Sequence, residues 1–238
     1  MRIAIVGTGI AGLSSAWYLH RQHQVTVFEA GNRAGGHTDT HEIEVEGRRV
    51  AVDSGFIVFN EHNYPRFTRL LRELGVSWEN TDMSFSAVNE RTGLEYGAAG
   101  LGRLFAQRRN LINPAFYRML WDIRRFYREA PELIGTDDDD LTLGDYLHIN
   151  NYSREFIGDH ILPMACALWS ATPAAIQRFP ARYFVSFMAN HRMLQVDGRP
   201  QWRVVSGGSS RYVQAILAAL GDRVRLFVTN RLPEHTSV

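Results

Sequence analysis

The chain has 238 residues, 45% of them hydrophobic and 21% charged, with a formal net charge of +1. That length holds one or two globular domains, and the balanced charge excludes a global attraction to nucleic acid or to an anionic membrane. The lone cysteine, Cys166 in "LPMACALW", excludes an internal disulfide and reads as a buried small hydrophobe.

All 26 basic residues are arginine. The N-terminal apolar run is about five residues long and reads as a strand, not a signal peptide. No run approaches the roughly 20 apolar residues of a membrane span. A cytoplasmic protein is the resulting expectation.

The first element is that strand, Arg2 to Val6. Gly7, Gly9 and Gly12 follow as G-x-G-x-x-G, then a helical face through Ala16 and Leu19, then a second strand, Gln24 to Phe28, ending on Glu29. Gly7 permits the tight turn, Gly9 lets a pyrophosphate approach the backbone, and Gly12 lets helix and strand pack closely. The helix start, with Ile10 and Ala11, offers free N–H groups and the positive end of a dipole to the phosphates. Glu29, with Ala30 beside it, stands about 20 residues on, where an acid can accept from both ribose hydroxyls. The pattern predicts a dinucleotide site.

Gly31, Gly35 and Gly36 make the next stretch a loop. "THEIEVEG" alternates, with Ile43 and Val45 on one face and acids on the other, which predicts a half-buried strand; "RRVAVD" returns as its hairpin partner. Asp53-Ser54-Gly55 ends it, as an ordinary turn or a cofactor contact. Asn63 and Pro65 start a helix, and Gly75 ends it. "MSFSAVNE" alternates again, with Met83, Phe85 and Ala87 on one side.

From Leu101 the chain turns helical. Asn113 caps a helix with Pro114 at its first position, and Phe116, Met119, Leu120, Ile123, Phe126 and Tyr127 form its apolar stripe. The arginines behind the stripe suit a solvated face or, as the alternative, a membrane surface. Asp137 to Asp140 reads as a solvated loop rather than a metal site. Thr142 and Asp145 form a capping-box-like start. The aromatic stretch broken by Pro163, Pro173 and Pro180 predicts short helices around an apolar cavity. "QWRVVSGGSSRYVQAILAALGDRVRLFV" reads as strand, Gly207-Gly208, helix, Gly221, strand.

A nicotinamide site has no need of Gly35-Gly36, whereas a longer cofactor requires a second loop near its pyrophosphate and ribityl chain. The run G-x-G-x-x-G-x₁₆-E-x₃-R-x-G-G, with "VDSGFIVF" and "VVSGGSSRYVQAI", resembles the flavin-dependent amine oxidase and phytoene desaturase superfamily over nearly the whole chain. Within it, the sequence looks most like the bacterial NAD/FAD-binding amine-oxidase-like proteins. The resemblance implies an α/β fold: a Rossmann-like FAD-binding domain with an inserted α+β, largely helical substrate domain. The segments would be 1–60 for FAD binding, 61–200 for the substrate or cap domain, and 201–238 for the return.

It also implies that Gly7 to Gly12 and Glu29 hold the ADP half of FAD. Arg33, Gly35 and Gly36 would hold the pyrophosphate and ribityl region, and Asp53, Ser54, Gly55 and Phe56 would pass beside the isoalloxazine. Family members run longer, and the ending "RLFVTNRLPEHTSV" lacks the segment expected after a strand at Val224 to Val228, which implies a truncated chain. The lysine common near flavin N5 in amine oxidases is absent, because the chain has no lysine.

The function so implied is an FAD-dependent oxidoreductase moving hydride from a C–N or C–C bond of a small apolar or amine-bearing substrate to flavin N5. The alternatives are an FAD-binding remnant without turnover and a nicotinamide-dependent dehydrogenase. His160, His191, Trp169 and Trp202 fall in or beside the cavity stretch, as packing residues or catalytic groups. Arg203 is equally open, at the surface or facing an anionic substrate.

Overall fold

The computed structural model describes residues 1–98, 100–195 and 198–225. The chain divides into two compact units. One is Met1–Asp82 joined by the residues from Gln201 on; the other, Met83–Pro200, is inserted between them.

In the first unit, β1 (Arg2–Val6) pairs in parallel with β2 (Gln24–Phe28), and α1 (Ile10–Leu19) crosses between them. Leu13 and Ala16 of α1 are fully buried with Val25 and Val27 of β2. A Cβ on Gly12 would lie 2.0 Å from the Gly7 carbonyl oxygen, so only glycine lets α1 sit this close to the turn. β3 (Thr40–Val45) and β4 (Arg48–Asp53) form the expected antiparallel hairpin, with Ile43 opposite Val50. Its turn residues Glu46 and Gly47 both have positive φ, at 51° and 74°, as a two-residue hairpin turn requires.

The hairpin departs from expectation in its burial. Ile43, Val45, Val50 and Val52 share one face and are 40–47% exposed, so the strand is not half-buried. Alternation sorts residues by face; it does not say whether another layer covers that face.

α2 (Pro65–Glu73) has Pro65 in its first turn, and Gly75 follows its end at φ 68°. Bonds from Gly75 N–H to Arg72 O and from Val76 N–H to Leu71 O close the helix end. Leu70 and Leu71 join the same core as Leu13 and Val25. The first unit therefore runs past residue 60, through β5 (Trp78–Thr81), to Asp82.

The inserted unit opens with a second antiparallel hairpin, β6 (Ser86–Asn89) and β7 (Leu94–Gly97). Helices follow: α3 (Leu101–Leu104), α4 (Pro114–Glu129), α5 (Leu143–Ile149) and α6 (Arg154–Phe156). A π turn, Ile157–Ile161, leads into α7 (Leu162–Trp169), and α8 (Pro173–Gln177) and α9 (Ala181–Asn190) complete it. Asn113, Thr142, Ser153 and Thr172 cap α4, α5, α6 and α8 through their side chains.

Phe126, Phe156, Ile161, Phe184 and Met188 are fully buried in one core. These side chains, from α4 to α9, pack on one another. Asp137 and Asp139 pair with Arg182. No group of acids, histidines or cysteine among the described residues is arranged to hold a metal.

The chain then returns. β8 (Trp202–Val205) pairs antiparallel with β5, and α10 (Ser210–Leu220) buries Tyr212, Val213, Ile216 and Leu220 against α1. β9 (Val224–Arg225) adds in parallel to β2, giving the order β1-β2-β9. The ending and the rest of the strand expected to Val228 lie outside the described residues. Among the described residues no helix is long and apolar enough to cross a membrane.

Candidate dinucleotide site

The site begins at the turn between β1 and α1. Gly7 adopts φ 91°, which L side chains resist, and its N–H donates to Phe28 O at 2.7 Å. α1 starts with no side-chain cap and no acid in its first turn. The N–H groups of Ile10, Ala11 and Gly12 precede the first helical bond, which runs from Leu13 N–H to Gly9 O. A Cβ on Gly7 or Gly9 would meet nothing within 4 Å, so the turn faces open space.

A second glycine wall approaches it. A Cβ on Gly36, at φ 58°, would lie 2.7 Å from Gly9 Cα. Donors at a helix N-terminus beside bare backbone suit an anionic pyrophosphate.

Glu29 ends β2 beside this groove. Its Oε2 accepts from Thr8 N–H at 2.9 Å and from the Thr8 hydroxyl, and its Oε1 accepts from Gly31 N–H at 2.9 Å. The Thr8 hydroxyl above all, then the N–H groups of Gly31 and Thr8, hold its carboxyl down at about 2. Glu29 is therefore an anion at neutral pH, with much of its acceptor capacity already used by its own chain. Ala30 follows it at the surface.

The other sequence-derived residues divide. Gly35 joins the site, its N–H donating to Thr8 O and Thr8 Oγ1, each at 3.2 Å. Arg33 is turned onto its own loop, donating to Thr38 O and Gly36 O and lying 3.6 Å from Asp39. It braces the loop that carries Gly35 and Gly36.

Asp53 accepts from Ser209 N–H at 3.0 Å and from the Thr40 hydroxyl, tying β4 to the start of α10. Ser54 N–H donates to Asp39 O at 2.9 Å. A Cβ on Gly55 would lie 1.9 Å from His37 O, so glycine serves a backbone crossing there. Phe56 packs edge-on against Tyr64 and Phe67 in the core. Gly208, at φ 92°, passes Thr40 so closely that a Cβ would lie 2.3 Å from its methyl.

The candidates in the aromatic stretch resolve into packing contacts. His160 is buried and bonded through Nδ1 to the Tyr96 hydroxyl at 2.8 Å. Trp169 lies 4.7 Å from Phe187 and His191 stacks on Phe187 at 4.1 Å, centroid to centroid. Arg203 donates to Asn80 at 2.7 Å and pairs with Glu61, so it is committed within its unit. Trp202 is half-buried on β8. Sequence reasoning missed Thr8, the fully buried residue at the centre of the site; its one signal was a hydroxyl between Gly7 and Gly9.

Residues 5–74 match the NAD(P)-binding Rossmann-like domain family. Putrescine oxidase, in a structure bound to putrescine, superimposes with a TM-score of 0.68 at 22% identity, over 95% of this chain and 51% of that one. Cyclohexylamine oxidase from Brevibacterium oxydans also gives 0.68, at 21% identity, over 94% and 50% of the two chains. The chain shares the fold of these two oxidases.

AofH of Mycobacterium tuberculosis, itself named only as a candidate flavin-containing monoamine oxidase, is 29% identical over 94% of this chain and 49% of its own length. A D-amino acid dehydrogenase of Dechloromonas aromatica is 31% identical over 66% of this chain and 35% of its own. This chain thus spans about half the length of AofH, and less of the dehydrogenase.

Proposed function

We propose that the first unit binds FAD and that the protein is an oxidoreductase of amine-oxidase type acting on a small apolar or amine-bearing molecule. The observation that carries this reading is the glycine-walled groove. Free N–H groups at the start of α1 face open space, Gly36 closes to van der Waals range of Gly9, and an ionised Glu29 stands at the end of β2.

In this reading the N–H groups of Ile10, Ala11 and Gly12 bind the pyrophosphate and Glu29 accepts from the adenosine ribose. Gly35 and Gly36, braced by Arg33, let the cofactor pass close to the backbone. Asp53 to Phe56 would run beside the isoalloxazine. The bound flavin supplies hydride acceptance from a C–N or C–C bond, and the protein supplies binding, orientation and exclusion of water.

The test is addition of FAD to the purified chain, read by flavin absorbance and fluorescence quenching, with NAD in parallel. Saturable FAD uptake that Gly9→Val abolishes is expected. A colourless protein that takes up no FAD, or one that takes up NAD alone, would overturn the reading.

A further inference from the structure

Thr8 is fully buried, yet it carries the most hydrogen bonds of any residue in the glycine turn. Its N–H donates to Glu29 Oε2 at 2.9 Å, and its hydroxyl bonds the same oxygen. Gly35 N–H points at both its carbonyl and its hydroxyl oxygen, 3.2 Å from each. The direction of each bond is fixed by chemistry: an ionised carboxylate can only accept and a backbone N–H can only donate, so the one hydroxyl proton goes to Glu29. The hydroxyl thus links three separate segments: the turn after β1, the end of β2 and the second glycine loop.

We propose that Thr8 is the positioning residue of the dinucleotide site, fixing the Glu29 carboxylate where it receives the adenosine ribose and the Gly35-Gly36 loop where it passes the pyrophosphate. This rests on the FAD reading above. A glutamate at a strand end otherwise samples several rotamers, and a group ordered before binding loses less freedom when the ligand arrives. The two Thr8 donors occupy Oε2. Oε1 holds the Gly31 N–H, and it is the oxygen left with room for a ribose hydroxyl. The low titration of Glu29 is consistent with this arrangement, since its largest cause is the Thr8 hydroxyl.

The test uses the full chain in four forms: wild type, Thr8→Val, Thr8→Ser and Glu29→Gln, with the Thr8→Val/Glu29→Gln double variant closing a cycle. Valine keeps the shape of threonine without its hydroxyl; serine keeps the hydroxyl. FAD affinity is measured by fluorescence quenching. Without FAD, NMR follows the Glu29 carboxyl titration in the three forms that keep Glu29 and the Gly35 N–H exchange in all of them.

Thr8→Val should weaken FAD about tenfold or more, raise the Glu29 titration toward its ordinary range and speed Gly35 exchange. Thr8→Ser should restore all three. The double variant should lose less than the two single losses multiplied, because Thr8 acts in part through Glu29. Wild-type affinity in Thr8→Val, unchanged titration and exchange, or losses that simply multiply would each overturn the proposal. If wild type takes up no FAD, the FAD reading fails by itself, and the NMR comparison still decides the role of Thr8.

Discussion

Gly36 and Gly47 both sit at positive φ, 58° and 74°, but a side chain would meet different surroundings at each. A Cβ on Gly36 presses on Gly9 Cα at 2.7 Å, whereas one on Gly47 meets nothing within 4 Å. Both alanine variants should lose about 1–2 kcal/mol of stability from the left-handed backbone alone. Only Gly36→Ala should also weaken dinucleotide binding, because it pushes the two glycine walls apart. Urea midpoints and FAD titrations separate the two effects, and equal loss of binding in both variants would remove the groove from the explanation.

Glu29 adds a pH signature at the same scale. Its folded titration lies near 2, below the ordinary 4.5, so its contribution to stability is complete above 4.5 and is lost as pH falls toward 2. Glu29→Gln should flatten the urea midpoint across that window.

The glycine turn and the position of the acid were legible in the sequence because they follow from spacing. Thr8 was not, since nothing in a sequence says that a hydroxyl between two glycines points inward. Arg33 and Asp53 were legible as polar residues near the site but not as braces: their partners, Gly36 and Thr38 for one and Ser209 for the other, are set by the loop path and the returning segment.

At the scale of elements, hairpins and caps followed from local chemistry, while layering did not. The sequence located β3 and β4 within a residue or two, yet their apolar face is open. Ile43→Thr and Val50→Thr, at 45% and 43% exposure, should therefore each change stability by no more than about 0.5 kcal/mol. Leu71→Ala, fully buried in α2, should cost about 2–5 kcal/mol. Denaturant midpoints of the three variants check this, and a large loss at Ile43 would mean that the face is covered.

The π turn makes the opposite case. The sequence left His160 as a packing residue or a catalytic group; the turn carries it into the core, where Phe156 stacks on it and the Tyr96 hydroxyl meets Nδ1. Burial first, and Arg199 second, lower its titration to about 4. The unfolded chain then takes up the proton near the ordinary 6.5 and the folded chain does not, so stability should be constant above 6.5 and fall between 6.5 and about 4. His160→Gln should flatten that fall in a circular-dichroism melt series.

The whole molecule is two units, each with its own core. The first is assembled from distant segments: β8, α10 and β9 return to pair with β5, to pack on α1 and to extend the β1-β2 sheet. Contacts of that separation, Trp78 opposite Val205 and Phe67 against Tyr212, carry the first core past residue 60, through α2 and β5. The candidate dinucleotide site lies entirely in this unit.

A ligand stabilises only the cooperative block that binds it, by about 2.7 kcal/mol at a hundred times its Kd. Trp78 lies in the first unit and Trp169 in the inserted one. A chain whose only tryptophan is Trp78 should therefore show a denaturation midpoint that rises with FAD. A chain whose only tryptophan is Trp169 should show one that does not, because its reporter belongs to a separate core. Equal shifts in both reporters would show that the units unfold as a single block, and no shift in either would take the dinucleotide out of the first unit.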